Sequence, residues 1–368
     1  MNKKRARELG LPFPGTPGPF NAITDVPGVR VGYCTLDQPA GPNGRAVKTG
    51  VTALLPRGYQ SNPSPVWAGF YALNGNGEMT GTHWIEDGGY FLGPVCITNS
   101  HSVGIVHHAA VRWSIDQYAA AWEQHHLWAM PVVAETYDGV LSDINGLHVT
   151  EADALFALNN ATDGPLTEGN VGGGNGMICY GFKGGTGTAS RRLELSGTAH
   201  HLGVLVQANH GVREWLSVLG VPVGSAVEIP TIPDTDRERG SIIVVIATDI
   251  PMLPHQLRRL AKRAALGLAR GGTPGGNNSG DIFLAFSTAN PRPLPQLDEA
   301  NLTAEYLNDE HFDPVYLAAV ESIEEAVVNG MLAAEGAPTQ KPPGNYCHAL
   351  DPAELVRIMG TFGRLANG

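Results

Sequence analysis

Apolar and polar residues alternate from Gly28 to Cys34 (GVRVGYC), and a β-branched, apolar stretch follows from Thr49 to Leu55 (TGVTALL). The chain therefore opens on a pair of strands. A further apolar run, Pro94 to Thr98, predicts a strand that ends on Asn99, Ser100 and His101. Helical spacing over His107 to Trp122 gives way to a strand at Pro131 to Ala134, which leads into Glu135, Thr136, Tyr137 and Asp138. Glycine is dense from Ala68 to Gly104 and again from Gly169 to Gly187, and the second block precedes a strand at Leu202 to Gln207. Pro230 to Gly240 (PTIPDTDRERG) has no apolar periodicity and reads as an exposed loop. Beyond it, Ser241 to Thr248 is a continuous apolar strand. Leu257, Leu260, Ala261, Ala264, Ala265 and Leu268 then share one helical face, with Arg258, Arg259, Lys262 and Arg263 largely off it. That helix stops at Gly271 and Gly272, and TPGGNNSGD leads into a last strand, Ile282 to Phe286.

Length and composition narrow the picture. At about 150 residues per domain, 368 residues suggest two domains or one large α/β domain. Charged residues are 16% of the chain, while the 47 glycines are close to twice the usual share of about 7%. That pattern belongs to tight turns and close backbone approaches, as in an enzyme with a glycine-lined site. A net charge of −11 repels nucleic acid and anionic lipid, so neither is expected as a partner. The apolar runs fall far short of the roughly 20 residues of a membrane helix. No export signal is visible at the basic, Gly- and Pro-interrupted start, and a cytoplasmic location is expected. Cys34, Cys96, Cys179 and Cys347 are scattered, so the expectation is four reduced thiols and no zinc site. No H-E-x-x-H pattern or phosphate-binding loop occurs, and neither a metal nor any other cofactor is expected.

Ser279 sits at the mouth of the last predicted strand. The plain reading is an Asn-Ser-Gly turn. The chemical reading starts from the weakness of a serine hydroxyl at neutral pH: it needs a base, and one solution is the serine's own α-amine, exposed once the preceding peptide is cut. Attack of Ser279 Oγ on the Asn278 carbonyl gives an ester by N-to-O shift, and its hydrolysis leaves Ser279 as a new N-terminus. The neighbouring Gly275, Gly276 and Gly280 would permit the backbone that such an attack requires.

These residues, with DVPGVRVGY, GNGEMTG, ITNSHSVG, ETYDG, EGNVGGGNGMICYGFKGGTGTASR, GVLVQANHG, ATDIPMLPHQLRRLAKRA, NNSGDIFLAFST and SIEEAVVNGM, resemble the DmpA/BapA-type aminopeptidases over nearly the whole chain. That family comprises self-processing N-terminal-serine hydrolases, the L-aminopeptidase/D-esterases and β-peptidyl aminopeptidases. The resemblance implies an αββα sandwich similar to N-terminal-nucleophile hydrolases. It implies cleavage at Asn278-Ser279 into residues 1–278 and 279–368, which stay associated as one structural domain. It further implies a small peptide or amino acid amide as substrate and a homotetramer of processed heterodimers. The family's motifs place a catalytic tyrosine at Tyr180, and a serine and glutamate supporting the amine at Ser322 and Glu324. On a helix, Ser322 shares a face with Glu325 instead, so geometry leaves Glu325 open. Asn209 is an amide donor of the kind found in oxyanion holes. Glu168 is the candidate anchor for a substrate ammonium. His101 is the rival base. Two alternatives retain the fold: an acyltransferase or oligoamide hydrolase, against which serine in place of threonine argues, and a non-catalytic binding protein.

Overall fold

The computed structural model describes residues 3–41, 44–233, 238, 240–295 and 299–366. Within them the strands are β1 (Arg30–Gln38), β2 (Val47–Leu55), β3 (Val66–Ala72), β4 (Tyr90–Phe91), β5 (Val95–Asn99), β6 (Val132–Thr136), β7 (Ile178–Cys179) and β8 (Phe182–Lys183). They continue as β9 (Gly185–Leu195), β10 (Thr198–Asn209), β11 (Ser241–Thr248), β12 (Gly280–Ser287), β13 (Ala337–Gln340) and β14 (Pro343–Cys347). The α-helices are α1 (Thr82–Gly88), α2 (Val103–Gln117), α3 (Ala119–Gln124), α4 (Glu151–Asn159), α5 (Val223–Ala226), α6 (Pro254–Lys262), α7 (Ala264–Arg270), α8 (Asp313–Ala333) and α9 (Pro352–Thr361).

Two sheets carry the architecture: a four-stranded one in the order β1-β2-β5-β6 and a six-stranded one in the order β4-β3-β12-β11-β10-β9. Side chains alternate across each strand, so each sheet has two apolar faces to cover. Ile243, Val245, Ile282 and Leu284 meet Val31, Leu54, Ile97 and Ala134 between the sheets. Val244, Ile246, Phe283 and Ala285 face outward onto Leu257, Leu260 and Ile323 of α6 and α8. On the opposite side, Val51, Ala53 and Val133 meet Val106 of α2 and Ala154 of α4. The four layers are those of an α/β fold of the αββα type, as expected.

The predicted strands recur with shifted ends, and Ser241 to Thr248 is unshifted. Each of the two predicted helices is broken in two, the first at Tyr118 and the second at Arg263. The Pro230 to Gly240 stretch is only partly an exposed loop. Residues 234–237 and 239 lie outside the described residues, while Ile232 and Glu238 are buried. Within the second glycine block, Gly172 to Gly176 pack between the sheets. A Cβ on Gly174 would stand 2.3 Å from Thr186 N, and one on Gly176 2.3 Å from Lys48 O, so no side chain fits there.

Gly187 sets the contact between β9 and α8, because a Cβ there would lie 2.0 Å from the Ala326 carbonyl oxygen. Gly187→Ala is therefore expected to destabilise the protein by about 1–3 kcal/mol, as overpacking does. Gly104→Ala, in open space on the exposed face of α2, should stabilise it by about 0.5–1 kcal/mol. Thermal unfolding of the two variants tests the contrast, and equal shifts would refute it.

Candidate active site

Ser279 immediately precedes β12, the strand that lies between β3 and β11. It is fully buried, and its hydroxyl donates to Asp281 Oδ1 at 2.5 Å. The period of two along a strand puts Ser279 and Asp281 on one face. Asp281 is fixed in turn by Asn74, whose Oδ1 accepts from the Asp281 amide at 2.6 Å and whose Nδ2 donates to Asp281 Oδ2 at 3.2 Å. Burial raises the Asp281 pKa to about 6, against the hydrogen bonds from Ser279 and Asn74 that favour its carboxylate.

The residues before Ser279 form a tight turn in which its amide donates to Gly276 O at 3.0 Å. Side chains from other segments grip this turn. Glu238 Oε2 accepts from the Gly276 amide at 2.8 Å and its Oε1 from the Gly211 amide at 2.7 Å. Asn76 Nδ2 donates to the Asn278 carbonyl at 2.7 Å.

Register brings Asn209 to the same end of the sheet. Asn209 pairs with Ser241 and Ser241 with Gly280, so two strand spacings, roughly 10 Å, separate Asn209 from Gly280. Its Oδ1 accepts from the Ile178 amide at 2.8 Å and its Nδ2 donates to Tyr137 O at 3.1 Å. One amide proton is left for another acceptor.

Tyr180 lies just beyond, in the β7–β8 turn, with its amide donating to His210 O at 2.7 Å. It is buried, and its hydroxyl finds no acceptor among the described residues, although the Thr273 backbone lies near its oxygen. Burial pushes this phenol well above its ordinary pKa and keeps it a donor. Arg213 holds the turn by donating to Tyr180 O at 3.0 Å and Gly181 O at 2.7 Å.

Glu324 faces a small cavity that Tyr180, His210 and Gly271 also line. Its carboxylate accepts from the Leu219 amide at 3.0 Å, with Arg270 at 3.6 Å, and burial raises its pKa. Glu325 points to the other side of α8, to Arg7 at 2.9 Å and Arg191 at 2.8 Å. Of the two, Glu324 is the one that shares a cavity with Tyr180. Ser322 is buried, and its hydroxyl has no hydrogen-bond partner among the described residues. Neither Ser322 nor Glu324 hydrogen-bonds to Ser279 among the described residues.

Glu168, the expected ammonium anchor, faces the N-terminal segment. Arg5 Nε lies 2.7 Å from it and the Thr188 amide donates to it at 2.8 Å. Thr188 lies opposite Leu205, Leu205 opposite Val245, and Val245 opposite Leu284, which sets Thr188 roughly 20 Å from Gly280 by strand spacing and rise. The carboxylate is committed to the N-terminal segment and is not brought to Ser279.

Glu135, at the end of β6, is the carboxylate the sequence reading passed over. Its Oε1 accepts from the Glu78 amide at 2.9 Å, and its Oε2 accepts from Ser100. A Cβ on Gly77 would lie 3.2 Å from Glu135 Oε1 and 3.4 Å from Gly280 Cα, so the carboxylate is separated from the head of β12 by one glycine. Burial raises its pKa. His101 is exposed, and its amide donates to Asn99 Oδ1 at 3.1 Å.

A pocket of about 500 Å³ opens beside this sheet end, with Asn209, His210, Gly240, Tyr137 and Lys341 on its walls. Ser279 does not line it, because it is buried under its own preceding turn. No group of three or more His, Cys, Asp or Glu able to hold a metal occurs among the described residues. No helix among them is long and apolar enough to cross a membrane.

Two sheets flanked by helices, with a serine at the head of a central strand, define a hydrolase of the N-terminal-nucleophile fold. The chain matches peptidase family S58 over residues 21–342 and belongs to that family. It is 49% identical to a beta-peptidyl aminopeptidase of Sphingosinicella microcystinivorans, over 98% of this chain and 93% of that protein. The L-aminopeptidase D-Ala-esterase/amidase of Ochrobactrum anthropi, a serine aminopeptidase with a variant of the Ntn hydrolase fold, superposes with a TM-score of 0.95 at 57% identity, covering 99% and 100% of the two chains. A Burkholderia beta-aminopeptidase gives 0.89 at 45% identity, covering 98% and 99%. The protein is a peptidase of aminopeptidase/amidase type.

The unpartnered Tyr180 hydroxyl makes a prediction about stability. A buried donor without an acceptor costs about 1–3 kcal/mol, so Tyr180→Phe is expected to leave Tm unchanged or raise it. A fall of several degrees would mean that the hydroxyl is a structural group.

Proposed function

We propose that the chain cuts itself between Asn278 and Ser279, and that mature Ser279 removes N-terminal residues from short peptides, amides or esters, with its own α-amine as base. The observation that carries this reading is a buried serine hydroxyl at the head of the central strand, at the sheet end where Asn209 and Tyr180 also lie. An α-amine titrates near roughly 7.7 to 8, so enough of it is neutral to take the hydroxyl proton as Ser279 Oγ attacks the substrate carbonyl. The oxyanion meets the Tyr180 hydroxyl and the free Asn209 amide proton. The protonated amine hands its proton to the leaving group, and water then hydrolyses the ester by the same route. Ser322 and Glu324 stand as support for the amine on the family resemblance. The turn before Ser279, whose Asn277 and Asn278 are exposed, becomes a chain end after cleavage and can leave the site open.

An aminopeptidase takes substrates with a free amine, and the closeness of Glu135 to Gly77 and the head of β12 supports it as the carboxylate that holds a substrate ammonium. A reducing cytoplasmic setting fits four cysteines that form no disulfide. Assembly as a homotetramer of processed pairs rests on the family resemblance alone.

Mass spectrometry of wild type should give two chains, the shorter beginning at Ser279, and Ser279→Ala should give one inactive chain. An intact wild-type chain with full peptidase activity overturns the mechanism. Loss of one charge-assisted hydrogen bond, about 1.5–3 kcal/mol, predicts that Glu135→Gln raises KM for amino acid amides by about 10- to 100-fold. Glu168→Gln should leave kcat/KM within about threefold; the reverse pattern would restore Glu168 as the anchor.

A further inference from the structure

Before cleavage the nitrogen of Ser279 is an amide, and it donates to Gly276 O. The base proposed for peptide hydrolysis does not yet exist at that stage, so the first proton must go elsewhere. We infer that self-cleavage has its own pair of catalytic residues: Asp281 accepts the proton of the Ser279 hydroxyl, and the Asn76 side-chain amide holds the oxyanion that forms on Asn278. This rests on the self-cleavage reading above.

The geometry is specific to the uncut chain. Ser279 Oγ donates to Asp281 Oδ1 at 2.5 Å, while Asn74 occupies Oδ2 and also donates to Gly276 O at 3.1 Å. One side chain thus orients the carboxylate and the turn that carries the scissile bond. Asn76 Nδ2 stands 2.7 Å from the scissile carbonyl oxygen, within the range expected of an oxyanion donor, and its backbone amide donates to Ser279 O at 3.3 Å. Glu238 fixes the Gly276 amide on the other side of the turn. Neither Tyr180 nor Asn209 hydrogen-bonds to Asn278 among the described residues. Around Asp281, the Glu238 carboxylate raises its proton affinity and the Ile242 backbone amide lowers it, and the Tyr180 phenol lies within electrostatic reach. The balance sits near 6, so the group is mainly ionised at neutral pH and still a useful base.

The step balances. Oγ bonds to the Asn278 carbonyl carbon as its proton passes to Asp281. The carbon–nitrogen bond then breaks, and Asp281 returns the proton to the departing nitrogen, leaving an ester and a free amine. Water, activated by that new amine, adds to the ester carbon; the carbon–oxygen bond breaks, Oγ recovers a proton, and Asn278 ends as a carboxylate.

The test follows the full chain made in a cell-free system, with the appearance of the shorter chain timed by denaturing electrophoresis across pH. Wild-type self-cleavage should slow about tenfold per pH unit below roughly 6, as Asp281 takes up its proton. Asp281→Asn should cleave about 10²- to 10⁴-fold more slowly and lose that limb. Asp281→Glu should recover part of the rate. Asn76→Ala, which removes an exposed side chain, should cleave about 10²- to 10³-fold more slowly and keep the limb. Asp281→Asn cleaving within threefold of wild type, or retaining the limb, overturns the role of Asp281, and Asn76→Ala at the wild-type rate overturns the oxyanion site. If circular dichroism shows Asp281→Asn misfolded relative to Ser279→Ala, the Asn76→Ala rate and the wild-type limb decide. A wild-type chain that never cleaves at Asn278-Ser279 refutes the reading beneath; cleavage that ignores both substitutions refutes only this inference.

Discussion

The parallel register of β11 and β12, with Ser241 opposite Gly280, is the constraint from which the site follows. Parallel neighbours cannot be joined by a hairpin, so the chain must leave β11 at Thr248, cross through α6 and α7, and re-enter at the end where β11 began. Ser279 therefore arrives beside Gly240 and at the level of Asn209, which the antiparallel pairing of β10 holds opposite Ser241. Every residue of β12 is buried, with Ile282 and Leu284 on one face and Phe283 and Ala285 on the other. A strand packed on both faces and bonded on both edges cannot shift, so the hydroxyl at its head has a fixed position from which to react.

A second constraint keeps the two ends of the chain together. Arg7 and Arg191 share Glu325, Arg191 also reaches Glu321, and Arg5 meets Glu168. Buried charges persist only as satisfied groups, and removing one partner of such a pair costs about 3–5 kcal/mol. The N-terminal segment is thereby clamped onto α8 and β9, while β12 sits in the middle of a sheet whose other strands precede residue 278. A nick at Asn278-Ser279 would leave both pieces sharing one core.

Much of this was legible in the sequence, and the failures have physical causes. Strands such as Ser241 to Thr248 announce themselves because both faces are buried and the apolar run is unbroken. The two predicted helices were read as continuous because the periodicity survives a break; Leu260 and Ala264 bury the same face although Arg263 separates α6 from α7. β9 was hidden because a strand that packs a helix against glycine carries little side-chain signal. The Arg5–Glu168 pair is not legible in the sequence because its two residues lie far apart along the chain. The different surroundings of Glu324 and Glu325 are not legible from helix periodicity alone, because they are set by what packs against each side of α8. Asp281 was within reach: a period of two from Ser279 puts its carboxylate beside the hydroxyl, but a serine read for its own future amine leaves no reason to look for another base.

The excess of glycine, read first as a sign of close backbone approach, acquires a specific purpose around one side chain. Tyr180 holds a φ of 51°, a left-handed conformation that costs a non-glycine residue about 1–2 kcal/mol. The Arg213 bonds to the Tyr180 and Gly181 carbonyls and the Tyr180 amide bond to His210 enforce it. The ring then lies where a Cβ on Gly211 would come within 2.3 Å of it, and the hydroxyl where a Cβ on Gly271 would come within 2.8 Å. Two glycines from separate loops thus clear the space for one phenol. The strain, the bare loops and the hydroxyl without an acceptor among the described residues all work against stability at the same residue.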